Sequence, residues 1–243
     1  MRYIIADIHG CYNEYIELLE KIEFADDDEL YVLGDAMDRG PEPMKVIQDI
    51  MNRPNVFYIL GNHDYMLLEL LPRLMEEITE SNVADFSAIE DMLTYYYDWI
   101  RNGGAVTIEQ FRTLKREEQL DIIDYVRDAS TYKILEQNDR LYVLVHAGIK
   151  EFDLDKELEE YEPYHFVSGR TDYTRQYFPG DRIRLVTGHT PTIYIREDQK
   201  PLVYQENGHI ALDCGCVFGG TLAAYCIETG ETTYVTSKRG ELL

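Results

Sequence analysis

The chain has 243 residues, 45% of them hydrophobic and 12% aromatic, which excludes a disordered or low-complexity protein and allows one large folded domain over 1–243. It carries 46 acidic against 23 basic side chains, a formal charge of −23, which argues against non-specific binding to nucleic acid. The apolar stretches, such as Leu222 to Ile227, are far too short to span a bilayer, and the start Met1-Arg2-Tyr3-Ile4 lacks a secretory leader, so no membrane association and a cytoplasmic location are expected.

In chain order, the β-branched and aromatic runs at 2–6, 30–33 and 56–60 predict three strands. Amphipathic stretches at 13–23 and 43–52 predict helices between them, with Asn13 as the first helix's N-cap. Alternation of strand and helix implies a mostly parallel sheet with right-handed crossovers. Residues 65–130 hold Leu67-Leu68, Leu70-Leu71, Met92-Leu93, Trp99-Ile100 and Ile122-Ile123 at helical spacing, punctuated by Ser81-Asn82 and Asn102-Gly103-Gly104. They read as an inserted helical cap over the strand ends or as a packing layer on one sheet face. From 132 onward the pattern is nearly all strand: 132–136, 141–146, 183–187, 201–204, 209–213, 222–228 and 232–235. These strands predict a largely antiparallel or mixed second sheet facing the first. The fold expected is α/β, a four-layer sandwich of two mixed β-sheets flanked by helices.

Five polar clusters punctuate this pattern, each following an apolar run. They are Asp7-Ile8-His9-Gly10, Gly34-Asp35-Ala36-Met37-Asp38-Arg39-Gly40, Gly61-Asn62-His63-Asp64, Val145-His146-Ala147-Gly148 and Thr187-Gly188-His189-Thr190-Pro191. Open α/β sheets place their chemistry at such strand ends. Asp7 and His9, two residues apart, offer a carboxylate and an imidazole together. Asp35 can bridge two ions, because its two oxygens carry differently directed lone pairs. Asn62, His146 and His189 can complete the shell of the second ion. A donor set of oxygen and nitrogen without thiolate suits Mn²⁺, Fe or Zn²⁺ and does not by itself choose among them; Mn²⁺ is the first expectation, with Fe or Zn²⁺ as alternatives. Two such ions activate a water and polarise a phosphoryl group. A leaving alkoxide then needs a proton, which His63, oriented by Asp38, is placed to give. Arg39 provides a planar fork for phosphate oxygens, and Arg170 is a candidate second clamp.

This ordered set resembles the phosphoprotein phosphatase branch of the calcineurin-like metallophosphoesterases. It looks closest to the bacterial and phage lambda-type protein phosphatases and the symmetrical diadenosine tetraphosphate hydrolases. Residues 7–10, 34–40 and 61–64 match that family's first three motifs, and His146 and His189 match its later histidines. By resemblance, Asp7, His9 and Asp35 hold one metal, while Asp35, Asn62, His146 and His189 hold the other. His63 with Asp38 forms the acid pair, and Arg39 and Arg170 clamp phosphate. Asp64 stands where the protein phosphatases more often carry Glu; Asp is more usual among the dinucleotide hydrolases. The leading expectation is a protein Ser/Thr phosphatase acting on phosphorylated protein or a small phosphoester. A dinucleoside polyphosphate hydrolase is second, and an inactive metal-binding scaffold is the reading from another class.

Four cysteines (11, 214, 216 and 226) show no disulfide framework, and Cys214-Gly215-Cys216 reads as packing, not as a metal site. Cys11, beside the first motif, is expected to line the site, where its oxidation would inhibit. His165 and His209 read as structural or exposed histidines. Tyr95-Tyr96-Tyr97 reads as an aromatic pocket or as a helix run half in the core and half at the surface, and Asp26-Asp27-Asp28 and 157–162 as solvated acidic faces or turns.

Overall fold

The structure is a computed structural model that describes residues 1–75 and 86–240; for Leu74 and residues 86–92 only the backbone is described. Strand β1 (Arg2–Ile5) leads to helix α1 (Tyr12–Lys21), β2 (Glu29–Leu33), α2 (Pro43–Met51), β3 (Val56–Ile59) and α3 (Asn62–Leu74). The helical segment continues with α4 (Phe86–Trp99), a π turn at Ile100–Gly104, α5 (Ala105–Phe111) and α6 (Arg116–Arg127). There follow β4 (Tyr132–Gln137), β5 (Arg140–Val145), α7 (Pro163–Val167), β6 (Ile183–Thr187), β7 (His209–Ala211), β8 (Thr221–Cys226) and β9 (Thr232–Thr236). No helix among the described residues is long and apolar enough to cross a membrane.

Two mixed sheets result, in the orders β3-β2-β1-β8-β9 and β4-β5-β6-β7. In the first, β1, β2 and β3 run parallel while β8 and β9 are antiparallel; in the second, β4-β5 is antiparallel and β5-β6-β7 parallel. The expectation that the strands after 132 form one facing sheet is corrected here. Strands β8 and β9 extend the first sheet, drawn there by long-range pairing such as Ile227 N–H to the Arg2 carbonyl at 3.1 Å.

Strand alternation assigns each side chain to a layer. Ile5, Leu30, Val32, Leu222 and Ala224 face the helices, whereas Ile4, Tyr31, Leu33, Ala223 and Tyr225 face the second sheet. That sheet answers with Tyr142, Leu144, Val186 and Ile210, and turns Val143, Val145 and Leu185 outward onto Tyr161 and Phe166. The fourth layer is thin: among the described residues it holds the short helix α7 and a 3₁₀ turn at Leu158–Glu160.

The inserted helices act chiefly as a layer: Leu67, Leu70, Leu71, Trp99, Ile108, Phe111, Ile122, Ile123 and Val126 are buried in the same cluster as Ile5 and Val32. They also reach the strand ends, because Arg39 N–H donates to the Gly103 carbonyl at 3.0 Å. Ser81-Asn82 lie outside the described residues. Three local expectations fail. Helix α1 starts at Tyr12, and Cys11 supplies the carbonyl for Tyr15 N–H, so Asn13 already lies inside the first turn. Residues 201–204 form one isolated bridge, Tyr204 to Ala211, in place of a strand. Cys11 is fully buried in the core against the helices and does not line the site.

Candidate metal centre and phosphate pocket

Loops after β1, β2, β3, β5 and β6 converge at one edge of the molecule and bring all five clusters together. The backbone at this edge is strained. Asp7 (φ 51°), His9 (45°), Asp35 (52°), Asp38 (67°), Arg39 (62°) and His189 (65°) all adopt the left-handed region, which costs a non-glycine residue ~1–3 kcal/mol. Close approach adds to this. A Cβ on Gly61 would lie 2.2 Å from Asp35 Oδ1, and one on Gly188 would lie 2.1 Å from Asp7 Oδ2. Both glycines leave room for a carboxylate.

Backbone groups fix the side chains. His9 Nδ1–H donates to the Met37 carbonyl (2.8 Å) and His146 Nδ1–H to the Leu33 carbonyl (2.7 Å), leaving both Nε2 lone pairs aimed inward. Asp35 Oδ1 accepts His63 N–H at 3.0 Å, and Asp7 Oδ2 accepts His189 N–H at 2.9 Å. Asp64 works from behind: its carboxylate receives the N–H groups of Asp35 (3.1 Å) and Gly61 (2.8 Å) and the Tyr58 hydroxyl (2.8 Å). It thus caps α3 while holding β2's end in place.

Two sets of ligand atoms, each within 4.8 Å, share Asp35: His9, Asp35 and His63, and Asp35, His146 and His189. In the second set His146 Nε2 stands 2.9 Å from Asn62 Oδ1 and 3.4 Å from Asp35 Oδ2, and His189 Nδ1 lies 2.8 Å from Asn62 Oδ1. With His146 donating through Nδ1, its Nε2 faces two acceptors across a gap that a cation satisfies. Asp7 lies outside both sets but borders the centre through His189.

The electrostatics carry the same signature. Burial, then Asp213 and Asp35, push the Asp7 carboxyl well above its ordinary range. Burial raises Asp213 to about 6 and Asp64 to about 7, the latter also through Asp35. Burial opposes ionisation of Asp35 too, yet His146, His63, His9 and His189 together hold it below the usual carboxylate range. Burial lowers His9 and His146, and it lowers His189 to about 4, which favours the neutral, ligating form of each ring. Several buried carboxylates face one another here with Arg39 as the nearby guanidinium, and oxygen and nitrogen donors of this kind fit divalent ions.

His63 is built differently. Its Nδ1–H donates to Asp38 Oδ2 at 2.6 Å. Trp99 Nε1–H donates to the same oxygen (2.7 Å) and Thr107 Oγ1–H to Asp38 Oδ1 (2.5 Å). Burial works against the imidazolium, but Asp35 and the Asp38 bond outweigh it and raise His63 above its ordinary value. The Arg39 guanidinium forks onto His9 Nε2 (2.5 Å) and His63 Nε2 (2.7 Å), and its carbon lies 5.3 Å from the Phe218 ring centroid.

Outside these groups opens a cavity of about 320 Å³. Asp35, Arg39, Asn62, Arg170, His189 and Asp213 form its polar side, and Pro191, Ile193, Tyr194 and Phe218 an apolar shelf. Every predicted site residue is therefore in or beside one pocket. Sequence reading missed Asp213, Trp99, Thr107 and the shelf. Asp213 had a signal, an acid ending the apolar run Ile210-Ala211-Leu212; Trp99 and Thr107 had none, because their partner lies more than sixty residues upstream. The other candidates stay apart. Tyr95 and Tyr97 are exposed helix surface, His209 Nε2 donates to the Arg175 carbonyl (2.7 Å), and His165 Nδ1 donates to the Glu162 carbonyl (3.2 Å). All four cysteines are free and buried, and no cysteine joins a metal-binding set among the described residues.

The chain is 28% identical over 262 aligned positions (96% of this chain, 93% of the relative) to a Geobacillus sp. (strain WCH70) protein named bis(5'-nucleosyl)-tetraphosphatase PrpE [asymmetrical]. It is 36% identical over 114 positions (46% of this chain, 41% of the relative) to a Buchnera aphidicola protein named bis(5'-nucleosyl)-tetraphosphatase, symmetrical. A crystal structure with a provisional diadenosine tetraphosphatase name has the same fold, with a TM-score of 0.66 and 19% identity over 98% of this chain and 94% of its own. The family model of the calcineurin-like phosphoesterases matches residues 3–204, and the chain belongs to that family.

Proposed function

We propose that this metallophosphoesterase hydrolyses dinucleoside polyphosphates, with Asp7, His9, Asp35, Asn62, His146 and His189 holding two divalent ions. The observation that carries the reading is the division of the pocket, with phosphate-binding groups on one side and an apolar, aromatic shelf of Ile193, Tyr194 and Phe218 on the other. A nucleotide presents the same two halves. The relatives matched along nearly their whole length bear the asymmetrical tetraphosphatase name, which supports this substrate over the phosphoprotein first expected.

When bound, a divalent pair supplies a nucleophilic water of lowered pKa and a Lewis acid for the phosphoryl oxygens. The chain's own groups do the rest. When substrate binds, the Arg39 guanidinium leaves His9 and His63 Nε2 and, with Arg170, orients the phosphoryl oxygens; His63 then holds a proton at Nε2 for the leaving oxygen, and Asp38 keeps that ring in line through Nδ1. Trp99 and Thr107 hold Asp38 against rotation. Ile193, Tyr194 and Phe218 position the base and exclude water beside the centre.

The test compares diadenosine tetraphosphate with a phosphoserine peptide at saturating Mn²⁺, with products separated by chromatography. The expected result is faster turnover of the dinucleotide, releasing ATP and AMP. A preference for the phosphopeptide reverses the reading. ADP as the product retains the substrate and overturns the asymmetrical cut.

A further inference from the structure

A second cavity, of about 250 Å³, lies between the loop after β5 and the loop after α7, and Arg170 lines both cavities. The two loops are locked together. Thr171 Oγ1–H donates to the Ala147 carbonyl at 2.9 Å, and Gly148 (φ 131°) leaves the Thr171 hydroxyl its space, since a Cβ there would lie 2.0 Å from it. Lys150 N–H donates to the His165 carbonyl at 2.9 Å, fixing the base of the Lys150 side chain.

Charge sets this cavity apart. In a chain with twice as many acids as bases, its lining holds Lys150, Arg170 and Arg175 against one carboxylate, Glu151. None of the three cations forms an ion pair among the described residues. Asp172 feels the charge of Arg175, but its carboxylate is bonded to Thr174 through the hydroxyl (2.6 Å) and the N–H (3.0 Å). Lys150 Nζ donates to the Tyr164 hydroxyl (2.7 Å) and lies over its ring, and Arg175 stacks over Tyr177. Aromatic and hydroxyl contacts hold these side chains in place while leaving their charge uncancelled. In so acidic a protein, three unneutralised cations around one hollow create a local attraction for an anion against the field of the whole.

We propose that this second cavity binds the distal phosphates of a polyphosphate substrate, with Lys150 and Arg175 as ligands and Arg170 as the bridge from the metal centre. The assignment rests on the dinucleoside polyphosphate reading above and gives it a length requirement. A monoester ends at Arg170, whereas a chain of phosphates clamped there continues toward Lys150 and Arg175.

The experiment measures inhibition of p-nitrophenyl phosphate hydrolysis by inorganic tripolyphosphate and by orthophosphate, at a fixed free Mn²⁺ concentration. It compares the native enzyme with the Lys150→Gln/Arg175→Gln double variant. Loss of two partly exposed charge contacts is expected to raise the tripolyphosphate Ki about tenfold and the orthophosphate Ki less than about twofold. Glu151→Gln is expected to move the tripolyphosphate Ki the other way, by about twofold. Equal shifts for both inhibitors, or none in either variant, overturn the proposal. If the native enzyme fails to cleave diadenosine tetraphosphate yet the tripolyphosphate effect appears, the nucleotide reading falls and the polyphosphate cavity stands.

Discussion

The inner centre and the outer rim of this site are built on opposite principles. In the centre, Asp7, His9, Asp35, His63 and His146 are buried, most of them on left-handed backbone, and each is held by a backbone group or a second side chain. At the rim, Arg170 stands on the loop after α7 and Tyr194 ends a 3₁₀ turn, and both are exposed to solvent. The centre is overdetermined because a reacting pair of ions tolerates little displacement. On the proposed reading, the rim makes the contacts that choose substrate, and these form when substrate arrives. Chemistry and selectivity should therefore separate on mutation, with centre variants losing every substrate alike and rim variants losing some more than others.

The largest effect should come from Asp35→Asn. It removes the charge shared by both ligand sets while leaving the side chain's size unchanged. We expect kcat/KM to fall by at least about 10³-fold on p-nitrophenyl phosphate, phosphopeptide and dinucleotide together, with metal content lowered in elemental analysis. Chelation followed by Mn²⁺ return should reproduce and then reverse the loss in the native enzyme. A variant that retains turnover on one substrate breaks the claim that all share this centre.

His63→Ala should cost ~10² to 10⁴-fold on phosphoserine, whose alkoxide leaves poorly without a proton. On a polyphosphate the leaving oxygen is far less basic, and the loss should be smaller. The pH profile gives a second measure. His63 must be protonated to act as the acid, and its pKa is raised, so activity on phosphoserine should persist through the ordinary histidine range and fall only at higher pH. Burial opposes that rise, and Asp35 and Asp38 supply it. Asp38→Asn should therefore shift the falling limb toward lower pH; a limb that stays put assigns the titration to another group.

How much of this was legible beforehand follows the same division. The proposed ligands could be read because each sits in a polar, glycine-bearing cluster that follows an apolar strand, and the helices and most strands because their apolar periods are regular. Membership of β8 and β9 in the first sheet could not be read, since pairing across more than two hundred residues leaves no local trace. The start of α1 was misplaced because an N-cap preference is worth only ~1 kcal/mol and yields to the packing of Tyr12 and Tyr15. Trp99 could be read only as one of the apolar residues at helical spacing in the inserted segment; it is buried in the core, and its bond to Asp38 depends on how the inserted helices return over the strand ends. Trp99→Phe should keep the packing and lose that bond, lowering kcat about tenfold with little change in KM. An equal loss of thermal stability and no kinetic change would return Trp99 to the core alone.

The smallest expected effect tests the rim most directly. Tyr194 ends the turn that follows Pro191, is 71% exposed, and has no core function that would explain an aromatic residue there. If its ring stacks on a base, Tyr194→Ala should raise KM for diadenosine tetraphosphate about fivefold, the worth of one aromatic contact, and leave kcat nearly unchanged. Tyr194→Phe should restore the native value, because the contact is made by the ring face and not by the hydroxyl. Phosphopeptide and p-nitrophenyl phosphate serve as the comparison. A similar KM rise on both would mean that Tyr194 supports the His189 loop and not a base. The rim would then share the rigidity of the centre, and selectivity would have to rest on the cations around Arg170.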